Sequence, residues 1–525
     1  MKKKLLPALI VTGLIILVVI IMGITALINK YTPTKKTEDL KEYFNISSDD
    51  EAALIVDNEL SDYKAKIIDK KIYVDYKFVH YSLNSRFYWD ANENVLLYTT
   101  ASDIISAAAD SNSYSVTKQT NDFGYPIVKA TSDSALIALD YVKQYSNITF
   151  KSYDDPARIV ITSKWDEIDS ATVSKSTQVR VKGGIKSPIL KEVKKDDKIT
   201  ILDSGDKWDK VATEDGVIGY IKSKALSESK KTKLTNPDYE EETFTHIKKD
   251  KDICLAWNQV TSQSANSKVP QVISSTKGIN VMSPTWFYLN DNNGNLADIA
   301  SKDYVSYCHS QGIEVWGLFS NFENTDVDAA YVLTHTSTRT TLINQIMSAA
   351  FNYELDGVNI DFENITEAAY GDSYIEFIRE LAIKCHNNGI SLSVDVTVPA
   401  SFNKFFNRSD MANFADYIVI MGYDEHYKGS DAGSVSSIPW VTEGVESTLK
   451  EVPADQIILG MPFYTRIWEL TPKEDDDAVT DTEDQSKYTV ASQVYSMDAA
   501  AAQLATNNAT AALDEESGQN YAEWS

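Results

Sequence analysis

At 525 residues the chain is too long for one ordinary hydrophobic core and is expected to hold several domains. Its 50 Lys and Arg against 76 Asp and Glu leave a formal net charge of −26 at pH 7. That balance argues against a nucleic-acid partner and against charge-driven attraction to anionic lipids or wall polymers, because phosphate binding needs a basic surface.

Lys2, Lys3 and Lys4 precede an uncharged stretch from Leu5 to Ile28, long enough to span a bilayer as a helix. A secretory signal has a shorter apolar core and a small-residue cleavage site, which "ITALINKY" supplies poorly. Residues 1–30 are therefore expected to be an uncleaved single-pass anchor in the cell membrane. The lysines would stay in the cytoplasm, with everything after Asn29 outside and facing the cell wall. The three cysteines, Cys254, Cys308 and Cys385, are too widely spaced for a disulfide scaffold or a CxxC metal site. Six histidines with no HExxH give zinc no support.

Residues 31–48, with "TPTKKTED", form a tether. Between 49 and 166, "IIDKKIYVDYKFVHYSLN" alternates like paired strands and "SDSALIALDYVKQYS" has helical spacing. The stretch "ELSDYKAKIIDKKIYVDYKFVHYSLNSRFYWDANENVLLYTT" resembles the small α+β domain at the N-terminus of copper amine oxidases, which implies no copper here. Residues 170–228 read as short strands separated by Gly and Asp turns. Trp208 and the Gly219-Tyr220-Ile221 run make this segment resemble the bacterial SH3 family, a small all-β barrel. A charged linker follows over 229–250.

From 251 to 525 the pattern becomes strand, loop, helix, repeated. Strands are expected at "ICLAWNQV", "INVMSPTWFYL", "IEVWGLFS", "LDGVNIDFE", "ISLSVDVTVP", "YIVIMGYDEH" and "IILGMPFYTRIW". Apolar strands alternating with amphipathic helices imply a parallel sheet wrapped in helices, and seven strands with polar or aromatic C-terminal ends suit a TIM (β/α)8-type barrel. Within "LDGVNIDFEN", Asn359, Asp361 and Glu363 fall on one face, alternating with Val358, Ile360 and Phe362. Two close carboxyls repel, which holds a proton available near neutral pH; a half-buried strand with its polar face in water shows the same alternation.

Residues 356–363, DGVNIDFE, match the DGxDxDxE signature of glycoside hydrolase family 18, with Asn359 in place of the middle Asp. The run Met421-Gly422-Tyr423-Asp424 matches the family's sixth-strand motif, and Gly460 to Tyr464 followed by Arg466 and Trp468 the seventh. "SPTWFYLND" is similar to the second strand of its spore and cell-wall branch. The resemblance implies a retaining, substrate-assisted hydrolase of β-1,4 bonds beside N-acetylated amino sugars, most readily in peptidoglycan. It makes Glu363 the general acid and base, gives Asp361 and Tyr423 the acetamido group, and adds Asp356 and Asn359 to the catalytic set. Asp424, Met421, Tyr464, Arg466, Trp257, Trp468 and above all Trp286 are the implied sugar contacts. No metal or organic cofactor is implied, and a monomer is expected.

Two features leave alternatives. Asp361 and Glu363 lie about 6–7 Å apart along one strand face, and that spacing alone does not decide between a protein and a substrate nucleophile. After Trp468 an acidic run, "TPKEDDDAVTDTEDQSKYTV", and a helix-like stretch replace the eighth strand, so the barrel is expected to be C-terminally incomplete. A non-catalytic wall-binding scaffold, a lectin, and chitin or an N-glycan as substrate are the alternatives.

Overall fold

The uncharged stretch near the N-terminus forms one helix, α1 (Lys2–Tyr31). Within it Leu9–Tyr31 is 23 residues long and apolar enough to cross a membrane, about 35 Å at the rise of an α-helix. The computed structural model describes residues 2–363, 365, 370–473 and 485–525, so most of the acidic run after Trp468 lies outside the described residues.

The chain divides into two compact units. The first comprises Met1–Phe87, Ala109–Ser113 and Phe123–Glu241. It holds two seven-stranded sheets, one centred on Glu51–Val56 and Glu59–Ile68, the other antiparallel and centred on Trp208–Thr213 and Ile218–Lys222. Phe44, Ile55, Val179, Val211 and Ile221 share one core. Lys230–Lys233, in the stretch read as linker, is an edge strand paired with Glu167–Thr172.

The second unit comprises Tyr88–Ala108, Tyr114–Asp122 and Glu242–Ser525. Seven parallel strands run in sequence order: β1 (Leu255–Asn258), β2 (Val281–Leu289), β3 (Glu314–Ser320), β4 (Gly357–Asp361), β5 (Ser391–Thr397), β6 (Tyr417–Met421) and β7 (Ile457–Gly460). Helices pack outside them, among them α2 (Lys302–Ser310), α3 (Thr336–Tyr353), α4 (Gly371–His386) and α5 (Ile438–Thr448). This is a (β/α)8-like barrel without its closing strand: among the described residues no strand lies between β7 and β1. β6 is buried at every position, as a parallel strand covered on both faces must be. Gly357 is dictated by its neighbour, since a Cβ there would stand 2.7 Å from the Trp316 indole.

The run read as a seventh strand breaks after Gly460. Tyr464–Pro472 leaves the barrel and pairs antiparallel with Tyr488–Ser496. The helix-like stretch beyond it forms Met497–Thr506, followed by a small hairpin of Ala512–Asp514 and Gln519–Tyr521.

Helix α4 is buried almost all round, which an outer barrel helix ordinarily is not. Its outer face is covered by a ribbon from residues 88–108 and 114–122 of the same unit. Tyr88 shares a hydrogen bond with Ser373 at 2.9 Å, Thr99 donates to Glu376 at 2.8 Å, and Asp90 accepts from the Thr336 N–H at the start of α3. Beneath the ribbon Arg339 pairs with Glu380 at 2.9 Å, and Arg379 pairs with Glu376 and Asp410. Buried charges are tolerated when each is paired in this way.

Candidate active site

The C-terminal end of β4 delivers three side chains to one face at rising exposure: Asn359 wholly buried, Asp361 half-buried and Glu363 exposed at the rim. Asn359 is fully engaged. Its Oδ1 accepts from the Trp257 indole N–H at 3.0 Å and from the Ser283 hydroxyl at 3.0 Å. Its Nδ2 donates to Ser393 Oγ at 3.0 Å and to Asp395 Oδ1 at 2.7 Å. Four strands, β1, β2, β4 and β5, thus meet on one amide.

Above that floor the carboxyls crowd. Burial, then the neighbouring Glu363 and Glu323, push the Asp361 carboxyl up to about 8. Its Oδ1 is buried and has no hydrogen-bond partner among the described residues. Partial desolvation, with Asp424 and Glu323 nearby, also raises Glu363 above the ordinary glutamate range. Asp395 is pushed well up by burial and by Asp361, an effect the Asn359 amide donor partly offsets. The Tyr423 phenol is raised by burial and by the charges of Asp395, Asp361 and Glu363, so it keeps its proton and remains a donor. Close carboxyls in a poorly solvated pocket retain protons near neutral pH, which general acid chemistry requires.

Past β6 the chain turns sharply at Asp424, whose φ of 59° lies in the left-handed region. Tyr464 donates to Asp424 Oδ1 at 2.7 Å and Arg466 Nη2 donates to the same oxygen at 2.9 Å. The Tyr423 ring stands edge-on between Trp257 and Tyr464, with both ring centres 6.1 Å away. The Trp257 ring lies against Gly460, where a Cβ would stand 2.8 Å from the indole, so β1 and β7 approach each other through this tryptophan.

Glu363, Asp361, Asn359, Tyr423, Asp424, Trp257, Tyr464 and Arg466 therefore gather at one end of the barrel. Met421, the last residue of β6, is buried beside them. Trp468 is farther along the hairpin and donates its indole N–H to the Gly433 carbonyl at 3.0 Å.

Two expectations are corrected. Asp356 precedes β4, about 16 Å before Asp361 at strand rise, and so lies at the opposite end of the barrel. Its Oδ2 accepts from the Val315 N–H at 2.8 Å and meets His309 Nε2 at 2.8 Å, a structural anchor rather than a catalytic group. Trp286 is wholly buried on the helix side of β2, its indole N–H donating to Asn266 at 2.7 Å and its ring against Tyr304. A side chain packed there presents no face to a sugar.

Other residues at this end lay outside the sequence reading. Asp395, Ser283, Ser393 and Glu323 join the polar network, with Ser320 donating to Glu323 at 2.6 Å. Phe322, Phe402, Tyr427 and Phe463 are large exposed aromatics, each within six residues of the C-terminal end of β3, β5, β6 or β7. Their shared position just past strand ends was the available signal.

Residues 320–525 match the family described as glycosyl hydrolases family 18. The chain is 25% identical over 194 residues to an uncharacterized glycosylase, YvbX, of Bacillus subtilis, covering 34% of this chain and 55% of that protein. It is 32% identical over 141 residues to the putative sporulation-specific glycosylase YdhD of Bacillus subtilis, covering 26% and 33%. It is 26% identical over 187 residues to the cortical fragment-lytic enzyme of the same organism, covering 34% and 43%. The chain thus spans between a third and just over half the length of these curated relatives.

Proposed function

Starting from a chain that carries a recognisable family 18 glycosylase domain, we propose that it hydrolyses β-1,4 bonds next to N-acetylated amino sugars, with retention of configuration. The observation that carries this reading is the placement of Glu363 at the rim, above the half-buried Asp361 and beside the Tyr423 phenol, with both carboxyls raised. In this reading Glu363 gives its proton to the glycosidic oxygen as the C1–O bond breaks. The acetamido carbonyl oxygen of the −1 sugar closes onto C1, and the resulting oxazolinium is opened by a water that Glu363 deprotonates. Asp361 takes the acetamido N–H and balances the developing positive charge. The Tyr423 hydroxyl donates to the acetamido oxygen, and Asp424, held by Tyr464 and Arg466, lines the same pocket.

The substrate we favour is peptidoglycan. The cortical fragment-lytic relative supports it, as does the apolar helix α1, which we read as an anchor placing residues 31–525 outside the membrane. Exposed Phe322, Phe402, Tyr427 and Phe463 supply faces on which a glycan strand stacks. The amine-oxidase-like reading of 49–166 and the SH3-like reading of 170–228 belong to the same proposal as accessory segments, although residues 88–108 and 114–122 lie in the barrel's own unit. A binding-only role is the second reading, favoured by the absence of a strand between β7 and β1 among the described residues. Digestion of purified peptidoglycan and of chitin oligomers, with products identified by mass, tests both: new reducing ends at N-acetylated sugars support hydrolysis, and glycan retention without cleavage supports the second reading.

A further inference from the structure

Asn359 lies buried two residues before Asp361 on the same face of β4, and its amide has a fixed sense. The oxygen faces two donors, Trp257 and Ser283, and the nitrogen faces β5. The β4–β5 register pairs Asn359 with Ser393 and Ile360 with Val394. Carried one residue further, it sets Asp361 beside Asp395 on adjacent strands, whose backbones run about 4.8 Å apart. We propose that Asp395 is a positioning residue of this site: it anchors the amide edge of Asn359 and stands beside Asp361 as the carboxyl partner that an asparagine at 359 cannot be.

The exchange is chemically closed. Asn359 needs an acceptor on its β5 side, and Asp395 is one; an aspartate at 359 would instead set two carboxyls at hydrogen-bond distance, and one would have to hold a proton. Asp395 is buried, and the titratable groups acting around it are Asp361 and Glu363 from the end of β4, Tyr423 after β6 and Tyr374 on α4. Glu323, after β3, acts on Asp361 and Glu363 in turn. None of these brings a positive charge, so removing one carboxyl lowers the pH at which the others release protons.

This inference rests on the hydrolase reading only where rates are measured. The test uses the full-length chain in detergent, with D395N, N359D and the reciprocal double variant N359D/D395N. Two quantities are followed against pH: kcat/KM on an N-acetylglucosamine oligomer, and the protonated-carboxyl band in the infrared. D395N should lose a carboxyl band that persists above neutral pH, and its alkaline rate limb should move down by about one pH unit. N359D should move that limb up, and the double variant, with carboxyl and amide exchanged, should return it toward wild type. An unmoved band and limb in D395N, whatever happens to kcat, would reduce Asp395 to packing and overturn the proposal, as would a double variant no better than D395N. Should D395N fail to fold by circular dichroism, the direction of the N359D limb decides. If the unaltered chain cleaves no oligomer, the hydrolase reading falls and the infrared titration alone decides Asp395.

Discussion

Thr99 donates its hydroxyl to Glu376 across a gap of 277 positions in the chain, and both groups are fully buried. The contact ties a ribbon that precedes the barrel to the helix directly behind β4. Glu376 also pairs with Arg379, so its carboxylate keeps a partner when the hydroxyl is lost. Thr99→Val should therefore cost about 1–2 kcal/mol, and adding Tyr88→Phe, which frees Ser373, about 1 kcal/mol more. Urea unfolding of the second unit's tryptophan fluorescence measures this; unchanged midpoints would mean that the ribbon merely rests on α4.

Asp356 provides a control at the far end of the same strand. Asp356→Asn weakens its contacts to the Val315 N–H and His309 but leaves the rim untouched. Turnover at saturating substrate should remain within a few-fold of wild type, while stability falls by about 1 kcal/mol. A loss of turnover without a loss of stability would return Asp356 to the catalytic set.

The raised Asp361 carboxyl makes a statement about stability. A folded-state value of about 8 lies well above the ordinary aspartate value of about 3.9, so the folded protein holds this proton more tightly than the unfolded chain. Stability from this group is complete below about pH 4 and is lost as pH rises toward 8. Asp361→Asn removes that loss. The variant's melting temperature should exceed that of wild type at pH 8, and the gap should close as the pH falls toward 4. The opposite trend would show that Asp361 is ionised and compensated in the native state.

Tyr464 and Arg466 act on one oxygen of Asp424 and so set the rim of the proposed acetamido pocket. Tyr464→Phe and Arg466→Gln should each raise KM several-fold with a smaller effect on kcat, because both substitutions leave the Glu363 and Asp361 carboxyls in place. Steady-state kinetics on a defined oligomer separates the two parameters. A fall confined to kcat would place these residues in the chemical step instead.

The barrel strands were legible because parallel strands buried on both faces read as apolar runs, and Asp361, Glu363 and Tyr423 because each sits at the end of such a run. What escaped depended on spatial relationships. Asp356 and Glu363 are neighbours in a motif but are separated by the length of a strand. Trp286 lies three positions after Ser283, an odd step that reverses its face: Ser283 reaches the interior amide of Asn359, while Trp286 turns to the helices. The run from Ile457 to Trp468 reads as one strand, yet Pro462 has no N–H for a ladder and the chain leaves the sheet there. Asp395, within the ordinary alternation of "SVDVT", acquires meaning only from the register that sets it beside β4.

The proposed hydrolysis turns on Glu363 as the proton donor and on the substrate's own acetamido oxygen as the nucleophile. Its most direct test gives the full-length chain matched acetylated and deacetylated oligomers and follows the new anomeric centre by proton NMR. The expected result is a β product from the acetylated substrate, no turnover of the deacetylated one, and a loss of two orders of magnitude or more in Glu363→Gln, within the roughly 10²–10⁴ of general acid catalysis. An α product, or equal rates on both substrates, would contradict it.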